Sequence, residues 1–434
     1  MIQTIKKAWG IPELRKKIIF TALILLIFRI GSAIPVPFLD ASVMQAWMSN
    51  AGDGNLLGYI DVLTGGAFSN ATIFAMSISP YITGSIVIQL LTVAIPALER
   101  MSKEGEDGRK RLNRITRYTG IGLGFVQALA YWFLLKNQGA LVYTKGFAGF
   151  FSAVVIIMTF TAGSALIVFL GDQIDAKGIG NGISMILFAG ILSRGGSAVL
   201  KMWQYFQMGA QSTKYYFYVP LVLILFLAMI VFIVVMTSAE RRIPVQYAKR
   251  VVGRKLYGGQ STFMPIKVNM SGVLPIIFAQ SIATLPATIV AFTGTGSSSF
   301  WTWMNTYIFD TKSAFYIVCY FLLIIAFSYF YATIQFNPIE IANNLKKNGG
   351  FIPGFRPGKP TSDFILKVIN KITLFGALYL AIVAILPIIV GIVIKNGSLA
   401  IGGTSVIIVV GVALETVKSL EAQMLMRHYK GFLE

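Results

Sequence analysis

The stretch from Leu56 to Ile95 reads LLGYIDVLTGGAFSNATIFAMSISPYITGSIVIQLLTVAI. It is apolar and long enough to cross a bilayer, but glycines, the pair Ser69-Asn70 and the pair Ser79-Pro80 interrupt it. Backbone groups freed by such breaks cannot stay unpaired in lipid, so a broken membrane segment packs against protein or lines a water-filled cavity. Transport proteins place their working parts in discontinuous segments of this kind. We therefore expect a short stopper followed by one helix over Thr72–Ile95.

The rest of the chain is a series of apolar runs. The 434 residues are 56% hydrophobic and only 12% charged, whereas soluble domains are charged at about a quarter of their positions. Solid apolar runs of about 20 residues indicate spanning helices, and a membrane barrel would alternate instead. The sequence predicts an all-α polytopic membrane protein.

Chemistry-bearing residues are scarce. Cys319 is the only cysteine and His428 the only histidine, which excludes an intrachain disulfide and a cysteine-based metal site. No P-loop pattern is present, and the glycines of GIGNG at 178–182 lack the βαβ setting of a dinucleotide site. We expect no enzyme, no catalytic residue, no metal and no cofactor. The energy for transport must then come from a partner or a gradient.

Ten spans are predicted. They run roughly over residues 18–36, 56–95, 118–135, 147–170, 182–200, 216–236, 270–292, 314–334, 372–394 and from 399 past 415. An even number places both termini on one side, and 29 of the 37 Lys and Arg residues belong to the termini and loops of that side. The positive-inside rule then makes both termini cytoplasmic.

The ten spans divide into an N-terminal half, residues 1–200, and a C-terminal half, residues 201–434. The second span of each half is interrupted by proline or glycine. Because five is an odd number, consecutive five-span halves have opposite topologies, which is the layout of an inverted repeat. A chance coincidence of two broken helices is the alternative.

Two long basic loops cover residues of about 237–269 and 335–371. In the first, alternating residues followed by Gly258-Gly259 predict a small hairpin. The basic residues near its tip are Lys249, Arg250, Arg254 and Lys255. A projecting basic tip suits RNA phosphates or an acidic protein surface. The alternative is a solvated loop whose charge only sets the topology.

Several long stretches occur in a distinctive order over nearly the whole chain. They are PYITGSIVIQLLTVAIPALE, GIGNGIS, SAERRIPVQYAKR, KVNMSGVLPIIFA, NPIEIANNLKKNGGFIPGFRPGKPT and GGTSVIIVV. In these stretches the chain resembles the SecY family, the central subunits of bacterial protein-conducting channels. The resemblance implies a clamshell of two inverted five-helix halves, hinged between spans 5 and 6, with an hourglass pore between them.

The resemblance also implies the pore's parts. The waist is a ring of aliphatic side chains, matched here by Ile82, Ile86, Ile191, Ile277 and Ile408. Such a ring resists wetting and deforms around a passing chain; ordinary helix packing is the alternative for each isoleucine. Residues 57–67 match a short re-entrant plug helix, with Gly65-Gly66 as a hinge, and a static re-entrant loop is the alternative. The plug residues are Tyr59, Ile60, Asp61, Leu63, Gly65 and Gly66.

In the family the channel opens sideways to lipid between spans 2–3 and spans 7–8. The polar residues matching this lateral gate are Gln89, Thr92, Gln127, Gln280, Ser281 and Thr284. Permanent interhelical contacts are the alternative. Arg356 stands between two Pro-Gly turns and matches the family's arginine for docking SecA and the ribosome; a topology-setting charge is the alternative. We expect Arg29 in span 1 to snorkel or to meet a partner in the assembled complex, and a functional intramembrane charge is the alternative. Asp61 in the plug is either a pairing site or a polar residue of the outer side.

Together these features predict a passive channel that carries unfolded preproteins across the membrane and releases spans sideways into lipid. A secondary transporter of a small solute is the alternative, but carriers usually place charged groups near the midplane, and the spans here hold almost none. The resemblance implies SecE and SecG as subunits, the SecA ATPase or the ribosome as motor, and preproteins with signal sequences as clients. The expected location is the bacterial inner membrane, with multiple passes.

Overall fold

The computed structural model is mainly helical. It describes residues 2–51, 56–208, 213–247, 250–252, 255–257, 261–270, 272–293, 307–308, 310, 313–394 and 403–430. The helices are α1 Ile2–Trp9, α2 Pro12–Gly31, α3 Ala41–Ala51, α4 Leu56–Leu63, α5 Ser79–Ala94, α6 Pro96–Lys103, α7 Glu106–Asn137, α8 Gly146–Lys177, α9 Gly182–Ser193, α10 Gly195–Met208, α11 Lys214–Ser238, α12 Leu274–Thr293, α13 Ala314–Gln335, α14 Pro338–Lys347, α15 Lys359–Ile394 and α16 Gly403–Lys430.

Seven helices of the described residues are long and apolar enough to cross a membrane. An eighth crossing results if α5 and α6 count as one, although the chain bends by 100° between them. The remaining two predicted spans correspond to α2 and α12, each with 20 residues, which at 1.5 Å per residue matches the hydrocarbon core. Spans 1 to 10 are accordingly α2, α4 with α5, α7, α8, α9 with α10, α11, α12, α13, α15 and α16.

The broken second span is shorter in helix than the sequence predicts. Its second helix begins at Ser79 instead of Thr72, with Pro80 in the first turn, where proline costs no hydrogen bond. Ala71 and Ser77 have positive φ angles of 46° and 48°, a conformation that a helix cannot contain. Residues 64–78 therefore form turns, and Thr72 is held by a β-bridge to Pro35.

The two basic loops fold together into one small unit. Its strands are β1 Glu240–Tyr247, β2 Arg250–Val252, β3 Lys255–Tyr257, β4 Ser261–Lys267 and β5 Gly350–Phe351. Strand β1 pairs antiparallel with β4 on one side and with β5 on the other. Its alternating buried side chains, Ile243 and Val245, pack against Ile352 of the other loop. The second loop, over 335–371, contains α14, β5 and the start of α15.

The predicted hairpin is confirmed. Strands β2 and β3 are antiparallel, with Val252 opposite Lys255. The chain therefore reverses between these two residues, within the basic tip that the sequence predicts.

Three apolar clusters form the membrane part. One joins span 3 and span 4 to the segment after α4, and a second joins spans 6 to 10. The third lies between them and takes residues from spans 1, 2, 4, 5, 7 and 10. Spans 2 and 3 approach closely because each has a glycine at the point of contact. A Cβ on Gly84 would lie 2.9 Å from the backbone nitrogen of Gly120. Small residues allow such close helix contacts in membranes.

Candidate functional site

Four of the five predicted ring residues come together in the cluster between the halves. Ile191 of span 5 and Ile408 of span 10 are buried members of it, and Ile82 of span 2 and Ile277 of span 7 are partly buried and pack against it. Ile191 is 9% exposed and Ile408 1% exposed. Four separate spans thus each contribute an isoleucine to this apolar cluster. An apolar constriction of this kind excludes water without binding a passing chain tightly.

The fifth ring residue, Ile86, lies one helical turn away. It is buried in the neighbouring cluster, which spans 6 to 10 dominate. Four residues along a helix advance by about 6 Å and rotate by about 40°, so Ile86 shares the face of Ile82 but not its depth. Ile82 contacts both clusters.

The predicted plug is the short helix α4 followed by a tight turn. Gly65 and Gly66 have φ angles of 68° and 91°, which favour glycine because it has no Cβ. Their amides close the helix by donating to the carbonyl oxygens of Val62 and Asp61 at 3.2 and 2.9 Å. A Cβ on Gly190 of span 5 would stand 2.6 Å from the carbonyl oxygen of Leu63. The glycine pair is thus packed tightly against span 5 and is more than a hinge.

Polar contacts hold the plug to two spans. Arg29 Nη1 of span 1 donates to the Gly65 carbonyl oxygen at 3.0 Å. The Asp61 carboxylate forms an ion pair with the Arg194 guanidinium at the end of α9, and its other oxygen accepts from the Ser69 amide at 2.8 Å. Asp61 is therefore a pairing site, and Arg29 contacts the plug. The side chains of Tyr59 and Ile60 lie outside those that the structure describes.

The segment after the plug is fixed by further hydrogen bonds. Tyr131 OH of span 3 donates to the Phe68 carbonyl oxygen at 2.7 Å, and both side chains are buried. Asn70 Nδ2 donates to the Gly66 carbonyl oxygen at 2.7 Å. Such bonds satisfy the backbone of the non-helical stretch inside the protein, as its membrane setting requires.

Hydrogen bonds between side chains join the predicted gate helices. Tyr331 OH of span 8 donates to Gln89 Oε1 of span 2, across the seam between the halves. Gln280 Nε2 of span 7 donates to Tyr316 OH of span 8 at 3.2 Å. Tyr331 and Tyr316 are buried. The predicted gate residues Gln89 and Gln280 therefore make contacts between spans.

The other predicted gate residues are placed differently. Thr92 and Ser281 donate to carbonyl oxygens of their own helices, at 2.7 and 2.8 Å. Gln127 is half-buried on span 3. The side chain of Thr284 lies outside the described ones, although its backbone is helical.

The two gate tyrosines, Tyr316 and Tyr331, were not predicted from the sequence. Tyr316, Tyr320, Ile324 and Tyr331 recur at helical spacing along α13 and are buried. A buried tyrosine hydroxyl requires a partner, so this stripe was a signal for a polar group on a facing helix.

Replacing Tyr331 by phenylalanine should ease opening of the seam. The change removes the hydrogen bond to Gln89 and keeps the ring, whose neighbour Phe278 lies 5.1 Å away. A bond of about 0.6–2 kcal/mol corresponds to a factor of roughly 3 to 30 in an equilibrium constant. We expect export of preproteins whose signals are too weakly hydrophobic for the unmodified channel.

The matched control is Tyr329→Phe, because Tyr329 OH donates to the Asn370 carbonyl oxygen of span 9 at 3.2 Å, away from span 2. Export of a graded series of signal sequences measures the effect. An unchanged signal threshold in Tyr331→Phe would remove this hydrogen bond from the gate.

Arg356 lies on an exposed turn at the edge of the basic unit. The turn is bracketed by Gly354 and Gly358, with φ angles of 86° and 111°. Thr361 Oγ1 donates to the Arg356 carbonyl oxygen at 2.8 Å. The backbone of Arg356 is therefore fixed while its side chain is exposed, which suits contact with a partner.

The predicted basic tip is described only in part. Arg250 and Lys255 lie on β2 and β3, and their side chains lie outside the described ones. Lys249 and Arg254 lie outside the described residues. Among the described residues, no group of three His, Cys, Asp or Glu side chains is placed to hold a metal ion.

Comparison with known sequences identifies the family. The sequence model of the SecY family matches residues 72–417. The chain is 41% identical over 446 residues to a protein translocase subunit SecY of Streptomyces scabiei, with full coverage of both chains. It is 41% identical over 441 residues to a protein translocase subunit SecY of Thermotoga maritima, covering 100% of this chain and 98% of that one.

Solved structures share the fold at low sequence identity. One described as the structure of a protein conducting channel has a TM-score of 0.65 at 18% identity, with 97% of each chain covered. Sec61 in the canine ribosome-channel complex has a TM-score of 0.63 at 16% identity, also with 97% of each chain covered. The chain is a multi-pass membrane protein with the ten-helix clamshell fold, and it belongs to the SecY family.

Proposed function

We propose that the protein is a passive channel that conducts unfolded preproteins and releases apolar segments sideways into lipid. The observation that carries this proposal is one apolar cluster to which spans 2, 5, 7 and 10 each contribute an isoleucine. The plug packs on span 5, and a hydrogen bond from Tyr331 to Gln89 joins span 8 to span 2. Span 2 thus borders both proposed exits, the one across the membrane and the one sideways into lipid.

The apolar character of this cluster argues against a carrier of a small solute. A carrier site needs polar or charged groups at the midplane that recognise its solute and coupling ion. The ring positions are isoleucines, and the carboxylate nearest to them in the plug, Asp61, is already paired with Arg194. The same arrangement supports a channel that catalyses no reaction itself.

The partners we propose are those that the family implies. SecE and SecG would complete the complex, and SecA or the ribosome would drive the preprotein. A solved neighbour is the Sec61 channel in a ribosome-channel complex, which supports the ribosome as a partner. The exposed Arg356 turn and the basic hairpin, with Lys249, Arg250, Arg254 and Lys255, are the proposed docking surface.

We further propose the bacterial inner membrane as the location, with cytoplasmic termini. The concentration of Lys and Arg in the termini and the two basic loops supports this orientation by the positive-inside rule. We also propose that residues 1–200 and 201–434 form the two halves of the clamshell.

Site-specific crosslinking tests the proposed path. A photoreactive residue at Ile191 should crosslink to a preprotein stalled during transport. The control position is Leu166 on span 4, which is 45% exposed on a helix surface. We expect adducts from position 191 and none from position 166. Equal labelling from both positions, or none from 191 while preprotein continues to enter, would exclude this path.

A further inference from the structure

The plug is held between two arginines that come from different parts of the chain. Arg29 belongs to the last turn of span 1 and reaches the backbone of the plug's C-terminal turn. Arg194 follows the last residue of α9 in span 5 and meets the plug's only carboxylate. One arginine contacts the carbonyl of Gly65, and the other contacts the side chain of Asp61.

Asp61 uses its two oxygens for two separate purposes. Oδ1 accepts from the Ser69 amide at 2.8 Å and so closes the turn after the plug. Oδ2 faces the Arg194 guanidinium. The carboxylate side chain is 7% exposed and the arginine side chain 31% exposed. The Gly66 position brings the backbone close as well, since a Cβ there would stand 3.3 Å from Arg194 Nε.

A nearly buried carboxylate has a strong requirement for its partner. Removing one member of a buried pair leaves an uncompensated charge in a poorly solvated place, and that loss is much larger than the net value of the pair. The exposed third of Arg194 reduces the effect through solvent screening. The buried position of the Asp61 carboxylate is therefore stable only while the end of span 5, with Arg194, stays beside it.

We propose that Arg194 is a positioning residue that clasps the plug through Asp61, with Arg29 bonded to the turn that ends the plug. Arg194 directly precedes Gly195-Gly196, where the chain passes from α9 to α10 on the way to the hinge between the halves. Displacement of this end of span 5 on opening takes the cation away from Asp61, so opening releases the plug. This inference rests on the proposed function of the plug as a seal.

Charge substitutions in the reconstituted complex test the clasp. Asp61→Asn is chosen because an amide oxygen still accepts from Ser69 while the ion pair is lost. Arg194→Gln removes the other partner, and the double variant Asp61→Arg with Arg194→Asp restores opposite charges in reversed positions. Lys145→Gln, at an exposed cation outside this contact, is the control. The readout is the resting ion conductance in planar bilayers without preprotein.

We expect each single change to raise the resting conductance roughly ten- to hundredfold. The double reversal should return it only in part, because an arginine at position 61 cannot accept from the Ser69 amide. Lys145→Gln should conduct like the unmodified complex. Preprotein uptake by the same complexes shows that each variant is assembled. A conductance left unchanged by both single variants overturns the clasp, as does a double reversal that leaks as much as the two single changes together.

A plug deletion in the same bilayers separates this inference from the proposed function. If the deletion leaks and the single substitutions do not, the plug seals without the clasp. If the deletion itself does not leak, the plug assignment fails and the clasp fails with it.

Discussion

Deleting residues 59–66 should raise the ion conductance of the resting channel at least about tenfold, which corresponds to a loss of about 1.4 kcal/mol in the stability of the closed state. The deletion removes Asp61 together with Gly65 and Gly66, and with them the contacts to Arg29 and Arg194. The isoleucine ring is then the only barrier left, and an apolar constriction alone opens whenever its side chains separate.

The control for this prediction is the same channel occupied by a stalled preprotein. With the pore filled, the plug is displaced in both forms, so the deleted and the complete channel should conduct alike. Uptake of preprotein should persist, because no contact of the plug belongs to the docking surface. An unchanged resting leak after the deletion would contradict the assignment of the plug.

Changing Arg356 to glutamate should abolish SecA-driven export while the complex still assembles. Arginines at the centre of interfaces often contribute 2 kcal/mol or more, so we expect at least about a thirtyfold loss of uptake. Assembly should survive because the bond from Thr361 uses the backbone carbonyl of Arg356, and the arginine side chain is exposed. Topology should survive because one charge of many on that side changes.

Lys359→Glu is the matched control for Arg356→Glu. It makes the same charge change at an exposed residue of the same segment, at the start of α15. A much smaller loss at Lys359 separates specific docking from a general attraction between basic and acidic surfaces. Equal losses at the two positions, or export at the normal rate in Arg356→Glu, would refute a specific role for this arginine.

The sequence predicted what depends on periodicity and on family motifs. Apolar runs gave the spans, and motif matches gave Ile82, Ile191, Ile277 and Ile408, which the fold brings into one cluster. The register of Ile86 was less accessible, because sharing a helix face with Ile82 does not fix the depth at which a side chain meets another span.

Long-range polar contacts could not be predicted in the same way. Gln89 and Tyr331 are separated by 242 residues, and Arg29 and Gly65 by 36. Nothing local in the sequence distinguishes Arg194 from the other charges that lie outside the basic loops. Pairing of such residues depends on tertiary packing, for which a single sequence carries no direct signal.

The helix start at Ser79 shows how tertiary contacts override propensity. Residues 72–78 are apolar and compatible with a helix. The structure instead holds Ala71 and Ser77 at positive φ, in a stretch fixed by the bridge of Thr72 to Pro35 and by the bond from Tyr131 to Phe68. Strand β5 could not be predicted for the same reason, because its two residues pair with β1 of a distant loop.

Preprotein uptake by proteoliposomes tests the central claim most directly. The chain is reconstituted with SecE, and SecA and ATP are supplied outside the vesicles, together with a preprotein that carries a signal sequence. We predict ATP-dependent protection of the preprotein from added protease, and no protection without ATP or without this chain. Vesicles that contain the assembled complex but protect no preprotein, or that accumulate small solutes against a gradient instead, would contradict the account.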